Sequence, residues 1–129
     1  MSPAVRRERK GTVQTHLAHL QINIRPENVP FYRDLMGFLG WQTLYDGDGM
    51  LGVAGKHGES LWFTGDANEA RNDYDGVGMN HLGIGAASQT DVDAVVSYLD
   101  ERGVVRLFET LRHRPDYAES DDHTYYQVM

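Results

Sequence analysis

The sequence predicts an α+β fold of two βαβββ modules, with the last strand of the second module missing from the chain. Three observations predict it. A strand-like run that opens on a histidine occurs twice, at His19 and at His81. Each run is followed by an amphipathic helical pattern that stops at a glycine, Gly40 and Gly103. His81 lies 62 residues after His19, and Gly103 lies 63 after Gly40. Near-equal offsets in a chain of 129 residues mark an internal duplication.

The first module is expected over residues 15–64. In His19-Leu20-Gln21-Ile22-Asn23-Ile24, apolar residues alternate with polar ones, the period of a strand with one buried face. From Pro26 to Phe38, Val29, Phe31, Tyr32, Leu35 and Met36 fall at helical spacings. Asn28 is the expected N-cap, Pro30 fits only the first turn, and Gly37 and Gly40 are stop signals. Three short strands follow. They are expected at Trp41–Tyr45, Met50–Ala54 and Ser60–Thr64, separated by the turns Asp46-Gly47-Asp48-Gly49 and Lys56-His57-Gly58-Glu59.

Residues 65–78 are dense in Asp, Asn, Glu and Gly and read as a linker. The second module is expected over residues 79–129 and repeats the pattern. Asn80-His81-Leu82-Gly83-Ile84-Gly85 is a strand with Leu82 and Ile84 on one face. Thr90–Arg102 is a helix opened by a Thr90/Asp93 capping pair, with Val92, Val95, Val96 and Leu99 as its apolar stripe. Val104–Phe108 is a strand, Glu109–His123 a long loop, and Tyr125–Met129 a further strand. The eighth strand is expected after Met129. Residues 1–14 form a basic arm carrying Arg6, Arg7, Arg9 and Lys10.

Composition narrows the function. The chain has no cysteine, which excludes a disulfide framework, thiolate-bound zinc, an iron–sulfur cluster and a cysteine nucleophile. No apolar run approaches the ~20 residues of a membrane helix, and no apolar stretch follows the basic arm as a signal peptide requires. A cytoplasmic protein is expected. Twelve basic and nineteen acidic residues give a net charge of −7. Nucleic-acid backbones and anionic membranes are repelled on average, and a cationic ligand is favoured.

The runs His19–Ile24, Pro30-Phe31-Tyr32-Arg33-Asp34-Leu35-Met36-Gly37-Phe38, Asn80–Ile84, Leu99-Asp100-Glu101-Arg102-Gly103-Val104 and Tyr125-Tyr126-Gln127-Val128-Met129 together resemble the vicinal oxygen chelate superfamily. That superfamily includes glyoxalase I, extradiol dioxygenases, and bleomycin- and fosfomycin-resistance proteins. The resemblance extends from about Thr15 to Met129. It implies a curled mixed sheet with a U-shaped cleft, the glyoxalase-like fold, and metal ligands on the first and fourth strands of each module. His19 and His81 fall on the two first-strand positions. Trp62, or Leu61, falls at the fourth-strand position where glyoxalases use Glu. The second module's Glu would lie beyond Met129. A divalent metal (Fe, Mn, Zn or Ni) is therefore the expected cofactor. With His19 and His81 as donors it would act as a Lewis acid on a vicinal diol or enediolate.

Further candidates surround these histidines. Gln21 and Asn23 share the polar stripe of His19 and are candidate substrate-binding groups. Trp62 and Tyr125 are candidates to stack a flat ligand, with core packing as the alternative. Arg112, in the long loop, is a candidate clamp for an anionic group. His123 is a candidate acid or base, because histidine titrates near neutral pH, and Tyr126 a candidate hydroxyl donor. His16, three residues before His19, points to the other side of a strand and is a strand-entry residue. His57 lies in a turn. Two readings follow. One is a metal-dependent lyase, isomerase or ring-cleaving dioxygenase acting on a small oxygenated molecule. The other is a non-catalytic small-molecule binder of the bleomycin-resistance kind. A homodimer is expected in either case, because a sheet lacking its last strand leaves an open edge.

Overall fold

The alternation in the first polar–apolar run is realised as strand β1 (His19–Asn23). Its His19, Gln21 and Asn23 are exposed, while Leu20, Ile22 and the following Ile24 pack against the core. The computed structural model describes residues 12–105 and the backbones of Arg112–His113 and Tyr126–Gln127. The chain divides into two compact units, one of Thr12–Val77 and one of Met1–Gly11 with Gly78–Met129. No helix among the described residues is long and apolar enough to cross a membrane.

In the unit Thr12–Val77, a 3-10 turn (Pro26–Asn28) runs directly into helix α1 (Val29–Phe38). Val29, Tyr32, Met36 and Leu39 recur at three- and four-residue steps and form the stripe that meets the sheet. Pro30 sits in the first turn as expected, where its missing N–H costs nothing. Asn28 is the N-cap residue, but its side chain makes no capping bond. The 3-10 turn holds its backbone in the helical region (φ −94, ψ −4), whereas a capping side chain needs an extended backbone. Gly37 does not stop the helix and lies inside it. The chain leaves at Gly40, in the left-handed region at φ +84.

Strands β2 (Gln42–Gly47), β3 (Met50–Ala54) and β4 (Ser60–Thr64) complete a four-stranded mixed sheet in the order β1-β4-β3-β2. The last two match the expected bounds. β2 runs two residues further, to Gly47, because Gly47 pairs with Met50 and only Asp48-Gly49 turns. Both turn residues have positive φ (52 and 74), the type I′ geometry that Asp-Gly favours. β1 and β4 pair in parallel, and the other pairs are antiparallel. β2 shifts register between Thr43 and Tyr45, leaving Leu44 at a bulge and half exposed.

One face of this sheet is dry. Leu51, Val53, Leu61 and Phe63 are buried with Val29 and Met36 of α1. Each such side chain contributes roughly 1.5–3 kcal/mol relative to exposure. The Tyr32 ring stacks on Phe63 with centroids 4.7 Å apart, which sets the helix over β4. A bidentate ion pair adds a second attachment at the rim. Arg33 of α1 donates from Nε and Nη2 to the two carboxylate oxygens of Asp46 on β2, at 2.6 and 2.8 Å. That pairing holds the Asp46 carboxyl below its usual range and the Arg33 guanidinium above its own.

The unit containing Gly78–Met129 is described in part. Helix α2 (Gln89–Glu101) stops at Arg102, and Gly103 follows at φ +71. Its N-cap is Ser88, not Thr90: the Ser88 hydroxyl accepts from the Asp91 N–H at 3.1 Å. Ser88 has the extended backbone a cap requires, while Thr90 lies inside the first turn. The expected stripe is borne out at Val96, which is buried, and at the half-buried Val92, Val95 and Leu99. Tyr98 is buried beside them. Its ring carries the Arg102 guanidinium 3.5 Å above its centroid.

The expected strand at 80–85 is not formed. Gly83 and Gly85 stand where β1 has Gln21 and Asn23. Glycine brings no side chain to pack and loses the most backbone entropy in a ladder. Arg112–His113, expected in a loop, form strand β5, antiparallel to β6 (Tyr126–Gln127). Val104 and Val105 are not in a strand. Residues 1–11, 106–111, 114–125 and 128–129 lie outside the described residues, and with them the basic cluster, most of the long loop, His123 and Tyr125.

Candidate functional site

Helix α1 covers one face of the four-stranded sheet, and the other face carries the sequence-predicted polar residues. Directly paired residues on neighbouring strands share a face. His19 pairs with Ser60, Gln21 with Trp62, and Asn23 with Thr64. Across the next pair of strands, Thr64 faces Met50, Trp62 faces Gly52, and Ser60 faces Ala54. Tyr45 of β2 pairs with Gly52. The row Gln21–Trp62–Gly52–Tyr45 therefore crosses all four strands on the helix-free side. Leu61, the alternative fourth-strand candidate, belongs to the buried core instead.

This row is organised. Gln21 Nε2 donates to Asn23 Oδ1 at 3.1 Å, so the two carboxamides of β1 brace each other. Trp62 Nε1 donates to Ser60 Oγ at 3.0 Å, one pleat back along β4. The six-membered ring of Trp62 lies over Gly52. A Cβ at Gly52 would fall 2.4 Å from the ring's Cζ3 and 2.7 Å from Cη2. Only a residue without a side chain permits that approach. At one end of the row, Tyr45 Oη donates to Asp48 at 3.0 Å, and the bond, reinforced by the carboxylate charge, raises the phenol's pKa. Thr64 is buried, and its hydroxyl accepts from the Asp66 N–H.

The chemistry of this face is polar. Its paired strand residues supply one imidazole, three carboxamides (Gln21, Asn23 and Gln42), three hydroxyls and an indole N–H, with no carboxylate and no lysine or arginine. Such a set binds by hydrogen bonding and ring contact. One imidazole without a carboxylate does not by itself make a divalent-metal centre. Among the described residues no three His, Cys, Asp or Glu side chains gather closely enough to hold a metal ion.

His81, the other expected metal ligand, is exposed in the segment preceding α2. Its Nδ1 lies 2.7 Å from Asn80 Oδ1. The carboxamide oxygen only accepts, so Nδ1 is the donor in this contact. Arg112 and Tyr126 lie in the two-stranded β5–β6 sheet, where His113 pairs with Tyr126 and Arg112 with Gln127. His123 and Tyr125 lie outside the described residues.

Three residues of this face were not among the sequence candidates. Gly52 interrupts the strand Met50-Leu51-Gly52-Val53-Ala54, and an isolated strand glycine signals close approach of another group. Ser60 is two residues from Trp62 on the same strand, which places both on one face. Tyr45 follows the bulge, and the bulge has no sequence signal that could have shown which way its ring points.

Among solved structures, the chain is similar to one described as a "putative glyoxalase" from Bacillus halodurans. The TM-score is 0.66 at 28% identity, covering 74% of this chain and 75% of that one. It is also similar in fold to an integron cassette protein from the mobile metagenome of V. cholerae. There the TM-score is 0.51 at 16% identity, covering 91% of this chain and 86% of that one. No protein-family model matches the sequence, and no curated protein does. The chain has a glyoxalase-like fold.

Proposed function

We propose that this glyoxalase-like chain is a small-molecule binding protein that takes its ligand on the helix-free face of the β1–β4 sheet. The observation that carries this reading is Trp62. It occupies the fourth-strand position on the face shared with His19, where the glyoxalase resemblance implies a metal-binding glutamate. An indole cannot coordinate a divalent ion, but it can hold an organic ligand by its ring face. Gln21 and Asn23 supply donors and acceptors at the edge of that ligand. A ligand panel read by thermal shift tests the reading. Saturation at 100 times Kd stabilises a protein by about 2.7 kcal/mol. The expected result is a stabilising organic ligand whose effect survives chelation and is lost in Gln21→Ala and Asn23→Ala. Stabilisation by a divalent metal alone would overturn it.

A second reading is favoured by the His81–Asn80 contact. An oxygen partner on one ring nitrogen orients the imidazole, as the partners of metal-ligating histidines do. In that reading His19 and His81 hold a divalent ion, and the protein is a metal-dependent lyase, isomerase or ring-cleaving dioxygenase. The ion would supply Lewis acidity toward a small oxygenated substrate. His123 would then move a proton, and Tyr126 would donate a hydroxyl hydrogen bond. Metal analysis after loading with Mn(II) decides between the readings. Stoichiometric metal that is lost in both His19→Ala and His81→Ala selects the enzyme. We further propose a homodimer in either case, to be checked by light scattering.

A further inference from the structure

The Trp62 ring is fixed from two directions. Its Nε1 is tied to Ser60 Oγ at 3.0 Å, and its six-membered ring lies in a slot that exists because residue 52 has no side chain. A surface tryptophan that only shielded backbone would need neither constraint. Together they hold one ring face against β3 and turn the other away from the sheet. Gln21 stands on one flank of the ring. Its Nε2 is engaged by Asn23, which leaves its Oε1 to accept from the edge of a ligand. No carboxylate, lysine or arginine stands on the paired strand residues of this face, and the Asp48 carboxylate at the end of the row is engaged by Tyr45. The chain as a whole carries −7, which draws cations toward it. An indole face has a negative quadrupole and attracts a cation spread over a flat ring more than a neutral one.

We infer that Trp62, seated over Gly52 and tied to Ser60, is the stacking floor for a planar aromatic cation, and that it determines ligand class at this site. The inference rests on the binder reading and adds the chemical class of the ligand. A fixed ring loses little conformational entropy when a flat ligand settles on it, so stacking energy goes into affinity.

The probe is 1-methylquinolinium. Quinoline serves as a planar neutral comparison, and cyclohexyltrimethylammonium as a cation without a flat ring. In a Trp41→Phe background Trp62 is the one remaining tryptophan, since the chain has two. Saturable quenching of its fluorescence by 1-methylquinolinium is expected, with quinoline at least fivefold weaker and cyclohexyltrimethylammonium failing to compete. Gly52→Ala must displace the ring and should weaken binding at least tenfold. Ser60→Ala, which leaves the slot intact, should weaken it about threefold. Trp62→Leu, followed by the probe's own fluorescence anisotropy, should lose binding altogether and covers the case in which Gly52→Ala does not fold. Equal affinity in Trp62→Leu and the parent overturns the inference, as does equal affinity for the non-planar cation. If binding persists in Trp62→Leu but vanishes in Gln21→Ala, the face remains a ligand site and stacking is excluded. If 1-methylquinolinium does not bind the parent at all, the ligand class is wrong, and the independent thermal-shift panel still judges the binder reading.

Discussion

Truncating Leu51 to alanine tests the packing that presents the candidate face. Leu51 is at the centre of β3 with no exposed surface, between its cross-strand partners Phe63 and Asp46 and in the cluster with Val29 and Met36 of α1. Removing three carbons forfeits about 0.8 kcal/mol each, or about 2.4 kcal/mol of transfer free energy. The cavity left behind brings the cost to about 3–4 kcal/mol. With a slope of about 1 kcal/mol per molar urea, the unfolding midpoint falls by about 3–4 M. Tryptophan fluorescence is the right assay, because Trp41 and Trp62 both lie in Thr12–Val77 and report on that unit alone. Leu44→Ala is the comparison. Leu44 is 51% exposed at the bulge of β2, and its truncation should change stability by less than about 0.5 kcal/mol. A cost below about 1 kcal/mol for Leu51→Ala, or an equal cost for Leu44→Ala, would refute the placement of the core.

Other predictions concern the turns, caps and rim. Gly49→Ala places a side chain at φ +74 and should destabilise the hairpin by about 1–2 kcal/mol, read by the same urea titration. Ser88→Ala removes the α2 cap and should cost about 1 kcal/mol, with loss of amide-exchange protection in the first turn of α2. The Asp46 carboxyl is depressed by Arg33. Its stabilising effect is therefore present above the ordinary carboxyl pKa of about 3.9 and is lost as pH falls through the lower folded value. Asp46→Asn should flatten the stability profile below about pH 4, and added salt should narrow the difference from the parent. The Tyr45 phenol is raised by its bond to Asp48, so that bond's contribution persists through neutral pH and disappears as pH climbs through the raised value. In an ultraviolet titration, Tyr45→Phe should remove a late-ionising phenol, and Asp48→Asn should bring its ionisation earlier.

The element order of residues 19–64 was legible because each element carries a local signal. Leu20, Ile22 and Ile24 alternate, Val29, Tyr32 and Met36 follow the helical period, and Asp46-Gly47-Asp48-Gly49 is a run of turn residues. The polar stripe of His19, Gln21 and Asn23 follows from the same alternation, and Trp62 from the family resemblance, with Leu61 as its alternative. Signals that depend on pairing were not legible. Leu82 and Ile84 repeat the pattern of Leu20 and Ile22, yet glycines at 83 and 85 weaken the ladder that would make them a strand. The short pairing of Arg112–His113 with Tyr126–Gln127 brings together residues far apart in sequence, and neither segment shows it locally. The α2 cap was misplaced by two residues because Ser88 and Thr90 are both capping residue types, and only the backbone conformation separates them. In the candidate site, the residue types were visible in sequence. The seat of Trp62 over Gly52 was not, because it depends on the β3–β4 register.

The most direct test is to map bound ligand by backbone amide chemical shifts, titrating 1-methylquinolinium and the stabilising members of the thermal-shift panel. The account predicts that the shifted amides cluster on β1 and β4, around Gln21, Asn23, Ser60 and Trp62, with the exposed side of α1 around Arg33 and Asp34 unmoved. Shifts concentrated on α1, or scattered without any cluster on those two strands, would contradict it.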